Sequence, residues 1–523
     1  MYQAIPSSIK DLKIFDPACG SGHFLVIAFD LLFAFYAEEA RHRQEDNEEA
    51  WSDRTIVESI LENNLFGLDL DPRAVQIAAA GLYIKAKGVC PEASPRTLNL
   101  VASNLNLAAF AVDDPAREEL RVAVQRDTGI PGALTDEIVE ALKGADAWGS
   151  LLQIDRAVDE AISRYEESAE KVVQPSLLGD AAQVKAQALS LTGKATKKTV
   201  LLSKLESFLT RQTRSDDLGL RLRGEQLAAG VRFIRMVREG AYELVVGNPP
   251  YQGTSKLKDS NYVKRYYEKA KADLYAAFLE RGIQLAKLGG MSALLTMRNW
   301  MFISQYSKVR EYLVETYNLR LIGDIDRGGF EEIADEVVST VMSIFCRNEP
   351  SEEQNSIAIQ PTPLDDNSRD SGRTSRKRAA LLAQVGRFEF KTNRFDVIKE
   401  KPLIYWWDEG FLLRYANANK LEESSPAWQG VATTNNTRFL RRSWEIKPYS
   451  LYLTRTNEII KEQKSKESWS PYIKGGAGQK WIDGLSNIIK WDLTGWSMNA
   501  HLEFYREKHP ALHLTMLRTE LGD

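Results

Sequence analysis

Apolar and polar positions along the 523-residue chain follow two rhythms. Short apolar runs end on small or acidic residues: Ile14-Phe15 before Asp16, Leu65 to Leu68 before Asp69, Leu98 to Ala102, Tyr242 to Val246 before Gly247, Gly289 to Thr296, Leu319 to Asp324, and Glu336 to Phe345. Between them, apolar residues recur three and four positions apart at 25–36, 56–64, 72–87, 273–287 and 305–315. Short strands alternating with amphipathic helices predict an α/β fold, a doubly wound Rossmann-like sheet. One stretch breaks the alternation: 114–240 is alanine-rich and charged, with helical spacing at 137–147, 152–173 and 182–208. It predicts a helical insertion, read either as a clamp or as a solvated spacer.

After the run ending at Phe345 the pattern fades. Residues 348–384 are polar and carry Pro350, Pro361 and Pro363, which predicts a linker. Beyond it the tryptophans gather, Trp406, Trp407, Trp428, Trp444, Trp469, Trp481, Trp491 and Trp496 being eight of the eleven in the chain. Aromatics among Gly-rich turns predict a second, mixed α/β or mostly β domain at 385–523, although aromatic core is the commoner use of tryptophan. The expected division is therefore 1–110 and 241–347 as two halves of one sheet, 111–240 inserted, 348–384 as linker and 385–523 as a further domain.

Composition alters little: 43% hydrophobic and 27% charged residues describe a globular protein. No run approaches the roughly 18 to 20 apolar residues that span a bilayer, and Met1 to Lys13 has no signal-peptide pattern, so a cytoplasmic protein without a membrane partner is expected. Three scattered cysteines, Cys19, Cys90 and Cys346, support neither a disulfide framework nor a metal site. A net charge of −4 leaves a nucleic-acid partner open, because phosphate contacts depend on where positive residues lie. Arg369, Arg373, Arg376, Lys377, Arg378, Arg387, Lys391 and Arg394 read as a DNA-facing stretch.

Two motifs carry candidate chemistry. Asp16-Pro17-Ala18-Cys19-Gly20-Ser21-Gly22 forms a strand-to-helix turn in which Gly20 and Gly22 let backbone approach a ligand. Asp69, at the end of the second strand, suits a pair of ribose hydroxyls. The string departs from the dinucleotide G-x-G-x-x-G fingerprint, and the acid at Asp16 favours a sulfonium over a pyrophosphate. The second motif is Asn248-Pro249-Pro250-Tyr251. Its prolines stiffen the chain and remove donors, Asn248 Oδ1 and the Pro249 carbonyl are acceptors for both hydrogens of an exocyclic amine, and Tyr251 offers a ring face to an extruded base. Two acceptors pulling on an adenine N6 amine favour a tetrahedral nitrogen with its lone pair free to attack an electrophilic methyl group.

Together the two motifs resemble motifs I and IV of the adenine-N6 DNA methyltransferases. Phe15 to Leu32, Asn64 to Pro72, Glu336 to Phe345, Asn435 to Leu440 and Pro471 to Gly476 with Lys480-Trp481 are similar to the large methyltransferases of BREX-type phage-defence systems and to fused restriction-modification enzymes. The resemblance implies S-adenosylmethionine as cofactor, held by Asp16, Pro17, Ala18, Cys19, Gly20 and Gly22, with Asp69 on the ribose and Leu70 and Asn104 beside the adenine ring. It implies Asn248, Pro249, Pro250 and Tyr251 as the catalytic set. It also implies double-stranded DNA as partner, read by a target-recognition domain through Arg438, Arg441, Arg442, Lys474 and Lys480, with other phage-defence or restriction proteins alongside; the oligomeric state stays open, a monomer being favoured. Relatives carry a further segment before the first strand; only thirteen residues precede it here, which reads as a shortened homologue or a fragment. With no P-loop and no nuclease signature, ATP hydrolysis and DNA cleavage are not expected.

Two other classes remain open. A nicotinamide-dependent oxidoreductase shares the fold but leaves Asn-Pro-Pro-Tyr unexplained. A DNA-binding specificity or scaffold subunit with an impaired cofactor pocket needs no catalysis.

Overall fold

Asp16 ends a three-residue strand, β1 (Ile14–Asp16), buried on every side, and the rest of the fold is arranged around it. The computed structural model describes residues 8–45, 51–103, a few positions between 118 and 163 (145–154 unbroken), 232–257, 260–330, 338–351, 354–361, 372–420, 433, 435–451, 469–472 and 487–508. Two compact units divide at Asn417 and Ala418.

The first unit is a nine-stranded sheet in the order β3-β2-β1-β4-β5-β7-β6-β8-β9. Its strands are β1, β2 (Leu65–Asp69), β3 (Asn99–Ala102), β4 (Tyr242–Gly247), β5 (Ala286–Met297), β6 (Asn318–Asp326), β7 (Thr340–Cys346), β8 (Ser356–Ile359) and β9 (Arg387–Phe390). The first five in space are parallel; β7 runs antiparallel between β5 and β6. Strand order reverses between β1 and β4, and the carboxyl ends at such a switch point are where α/β sheets bind ligands.

Helices cover the faces as the apolar spacing requires. Helix α1 (His23–Glu45) buries Leu25, Phe29, Leu32 and Tyr36, and α2 (Pro72–Val89), capped by Asp71, buries Ala78, Leu82 and Ala86. Helix α3 (Leu274–Leu285), capped by Asp273, is buried along almost all its length, and α4 (Ser307–Thr316) buries Val309 and Leu313. No helix of the described residues is long and apolar enough to cross a membrane.

The sheet runs past the boundary expected near residue 347. β8 lies inside the polar stretch read as a linker and pairs in parallel with β6; β9, read as part of the next domain, pairs with β8. A four-residue strand such as β8, held between β6 and β9, carries too little alternation to stand out from a Pro- and Ser-rich background. Two members of the basic cluster beside them are internal. Helix α5 (Arg373–Leu382) buries Arg373 and Lys377; Lys377 Nζ donates to the Ile325 carbonyl (2.8 Å) and Thr374 Oγ1 to that of Gly328 (3.0 Å). Arg387 pairs with Glu389, and Arg394 Nη2 donates to the Tyr405 carbonyl. These side chains hold the loop after β6 and the sheet edge. Trp406 and Trp407 belong to this unit as well.

The second unit has a three-stranded antiparallel sheet, β10 (Leu440–Arg442), β12 (Asn487–Lys490) and β11 (Trp469–Tyr472) in that spatial order, with helix α6 (Trp496–Lys508). Phe439, Ile489 and Met498 form its small core. The helical stretches expected at 164–173 and 182–208 lie outside the described residues.

Candidate active site

Pairing of β1 with β4 brings the two sequence motifs together. Phe15 is level with Val245, so Asp16 comes to the edge of Gly247. A Cβ on Gly247 would sit 2.6 Å from Asp16 Oδ1, closer than any side chain tolerates. Glycine at 247 is therefore what lets the turn of the first motif and the start of the second share one rim.

The turn is built from backbone hydrogen bonds. Cys19 N–H donates to the Leu68 carbonyl (2.9 Å), Gly20 N–H to Asp69 Oδ2 (2.8 Å) and Ala18 N–H to Asp16 Oδ1 (3.1 Å). Asp69 Oδ1 also accepts from Asp71 N–H (2.9 Å), so Asp69 ties the turn to the end of β2 and keeps lone pairs for a ligand. Gly20 and Gly22 have φ of +51° and +84°. A Cβ on Gly22 would lie 2.8 Å from that of Ala78, whereas one on Gly20 would meet nothing within 4 Å. Space therefore opens above Gly20, beside Leu70, which is 45% exposed at the end of β2.

Electrostatics at this floor are unusual. Burial raises the Asp16 carboxyl to about 7, against the lowering pull of the Ala18 N–H, with Asp69 adding to the rise. The same burial, with Asp16 and Asp69 nearby, pushes the Cys19 thiol far above its ordinary range, so Cys19 is a packing residue and no nucleophile.

At the end of β4, Pro249 is buried and Pro250 exposed. Tyr251 Oη donates to Asn248 Oδ1 at 2.7 Å and lies 3.3 Å from the Leu295 carbonyl of β5. Burial holds the Tyr251 phenol well above its usual pKa, so it stays a donor. A separation of 2.7 Å suits O–H···O better than N–H···O and assigns the amide oxygen to the hydroxyl. The ring stands edge-on to Tyr275, 6.1 Å between centroids.

A third component has no sequence signal. Trp148 to Leu152, inside the stretch read as a helical insertion, lies against the floor. Ser150 Oγ donates to the Pro17 carbonyl (2.7 Å), and Gly149, at φ +50°, would bring a Cβ to 3.1 Å from Leu70. Arg281, fully buried on α3, fixes this segment: its Nε donates to the Ser150 carbonyl (2.9 Å), and its Nη2 to those of Val237 (2.6 Å) and Leu152 (3.3 Å). Ser150 and Leu152 lie more than a hundred residues from Arg281 and Val237 lies 44 away, all beyond the reach of any local pattern.

Asp16, Pro17, Ala18, Cys19, Gly20, Gly22, Asp69, Leu70 and Asn248 to Tyr251 are thus gathered at the carboxyl ends of β1, β2 and β4. Asn104, Lys474 and Lys480 lie outside the described residues. Arg438, Arg441 and Arg442 belong to the second unit: Arg438 lies over Phe439 (5.3 Å), Arg441 near the Trp469 ring (5.8 Å), and Arg442 beside Trp444 (6.0 Å).

Comparison with known proteins adds independent information. The profile of the Eco57I restriction-modification methylase family matches residues 63–330, just over half of the chain, and that of the MmeI DNA-methyltransferase domain matches 2–109. The adenine-specific methyltransferase PglX of Lacticaseibacillus casei (strain Zhang) is 26% identical over 510 residues, covering 95% of this chain and 36% of its own length. The adenine-specific methyltransferase BrxX of Escherichia coli O9:H4 (strain HS) is 25% identical over 528 residues, covering 96% of this chain and 38% of its own. The chain spans a little over a third of the length of these relatives. Among solved structures, a nuclease-deletion mutant of the Type ISP restriction-modification enzyme LlaGI in complex with a DNA substrate mimic aligns with 82% of this chain at 12% identity and a TM-score of 0.41.

Proposed function

Because the chain belongs to the Eco57I restriction-modification methylase family, we propose that it transfers a methyl group from S-adenosylmethionine to adenine N6 in DNA. The observation that carries this reading is the abutment of Asp16 and Gly247, which sets a nucleoside-type turn and an amine-binding turn on one rim. Space above Gly20, the Asp69 carboxylate and the exposed Leu70 fit the cofactor's adenosine; Asp16 fits its cationic end. The cofactor supplies the activated methyl group. Asn248 Oδ1 and the Pro249 carbonyl accept the two N6 hydrogens, turning the nitrogen lone pair toward that methyl, while Tyr251 presents a ring to the extruded base.

In this reading residues 1–110 are the cofactor half, 241–347 the catalytic half, and the unit from Ala418 contributes DNA recognition through Arg438, Arg441, Arg442, Lys474 and Lys480. By likeness to PglX and BrxX, the protein marks host DNA in the cytoplasm within a phage-defence or restriction-modification system. Expressing the chain and sequencing host DNA with adenine-modification readout tests it: one fully modified motif is expected, absent in Asn248→Ala. Soluble protein that binds DNA and modifies no adenine would leave the specificity-subunit reading in its place.

A further inference from the structure

The segment leaving the Asn-Pro-Pro-Tyr turn exposes charge of one sign. Lys256, Lys264, Arg265, Lys269 and Lys271 are exposed there, against one exposed acid among the described residues, Glu268, in a chain whose net charge is −4. Other bases on this unit sit with acids, among them Arg54 with Glu58, Arg73 with Asp71, Lys85 with Asp30, and Lys401 with Glu315 and Asp396. Among the described residues no carboxylate forms an ion pair with Lys264, Arg265 or Lys271.

Their placement is fixed. The segment is closed at its base on the residue after Tyr251: Gln252 N–H donates to Asp273 Oδ1 (3.1 Å), Leu274 N–H to the Gln252 carbonyl (3.0 Å), and Thr254 Oγ1 to the Lys271 carbonyl (2.6 Å). Arg265 lies over Tyr266 (5.2 Å), the outer ring of a stack running Trp148, Tyr262, Tyr266 with centroids 5.1 and 4.5 Å apart. Trp148 begins the segment docked on Pro17 through Ser150. The segment is therefore tied at its base to the Asn248–Tyr251 turn, and Arg265 rests on an aromatic ledge that reaches back to the segment docked on Pro17.

We propose that Lys264, Arg265 and Lys271 form a phosphate clamp that grips duplex DNA beside the adenine to be extruded. The inference rests on the function proposed above and names the part of the site that holds the DNA backbone. Extrusion costs a few kcal/mol of lost stacking and pairing, and backbone contacts next to the target keep the duplex in register while that is offset.

The test uses the full chain, a mixed-sequence duplex and fluorescence anisotropy across a salt series. Each phosphate neutralised contributes about 0.9 to the slope of log affinity against log salt, so replacing Lys264, Arg265 and Lys271 by Gln together should lower that slope by about 2 to 3. A control that replaces Arg54, Arg73 and Lys85 should leave it unchanged. An unaltered slope in the clamp variant, a loss seen only with single-stranded RNA, or no salt-dependent duplex binding by the wild-type chain would each overturn the proposal. The outcomes separate the two readings: a lowered slope in a chain that modifies no adenine keeps the clamp and removes the methylation reading. Adenine modification with an unchanged slope does the reverse.

Discussion

Gly247→Ala attacks the joint between the two motifs. The added methyl would lie 2.6 Å from Asp16 Oδ1, 3.3 Å from its Cγ and 3.5 Å from Pro17 Cδ. Asp16 cannot swing aside cheaply, because it is 1% exposed and its Oδ1 accepts the Ala18 N–H. Overpacking of this kind costs about 1–3 kcal/mol, and losing the Ala18 hydrogen bond adds about 1 kcal/mol. Thermal unfolding should therefore shift down by several degrees, and titration with S-adenosylmethionine should show weakened binding, since the turn has moved. Gly20→Ala is the matched control. Its φ of +51° implies about 1–2 kcal/mol of strain, but its methyl meets no protein atom within 4 Å. If the space above Gly20 holds the cofactor, this variant should keep most of its stability and lose at least about tenfold in cofactor affinity, some 1.4 kcal/mol. Wild-type melting and binding in Gly247→Ala would refute the claim that the two motifs share a rim, and unchanged affinity in Gly20→Ala would remove the cofactor from that space.

Three further outcomes follow from the same rim. Asp16 has a folded pKa of about 7 against 3.8 unfolded, so its carboxyl favours the fold below about pH 4, and that contribution is lost as pH rises to 7. Asp16→Asn should gain on the wild type across that window, by up to about 4 kcal/mol in the cofactor-free protein; a flat difference between the two pH–unfolding curves would show that Asp16 is not held in a desolvated site. Tyr251→Phe keeps the ring and removes the donor to Asn248 Oδ1, so kcat should fall about tenfold with little change in the KM for DNA; wild-type kcat would mean that the amide needs no hydroxyl to hold it. Arg281→Met strands the Ser150, Leu152 and Val237 carbonyls and should cost about 3–5 kcal/mol in denaturant unfolding, a loss that an exposed or redundant arginine would not produce.

What the sequence disclosed and what it hid divide along a physical line. Asp16 to Gly22, Asp69 and Asn248 to Tyr251 were legible because each depends on neighbours within a few residues: a turn that needs glycine, a strand end that needs an acid, prolines that stiffen the chain beside an acceptor. The central strands were legible because burial on both faces demands continuous apolar runs. β8 is only four residues long and lies in a Pro- and Ser-rich stretch, so although it is largely buried between β6 and β9 it does not stand out from the loops around it. Arg373 and Lys377 misled because a long cation beside a loop of unpaired carbonyls can serve as a buried donor, and charge alone does not reveal which way it points. Ser150 and Arg281 are the clearest case. A serine in a Gly-Ser-Leu turn and an arginine in a helix have no local signature, yet 131 residues apart they meet to fix the segment that docks on Pro17. Within the stretch 111–240, the ten residues from Ala145 to Ile154 are anchored beside the Asp16–Gly22 turn by the helix that follows the Asn248–Tyr251 turn. A substitution that loosens Arg281 should consequently disturb both halves of the rim together.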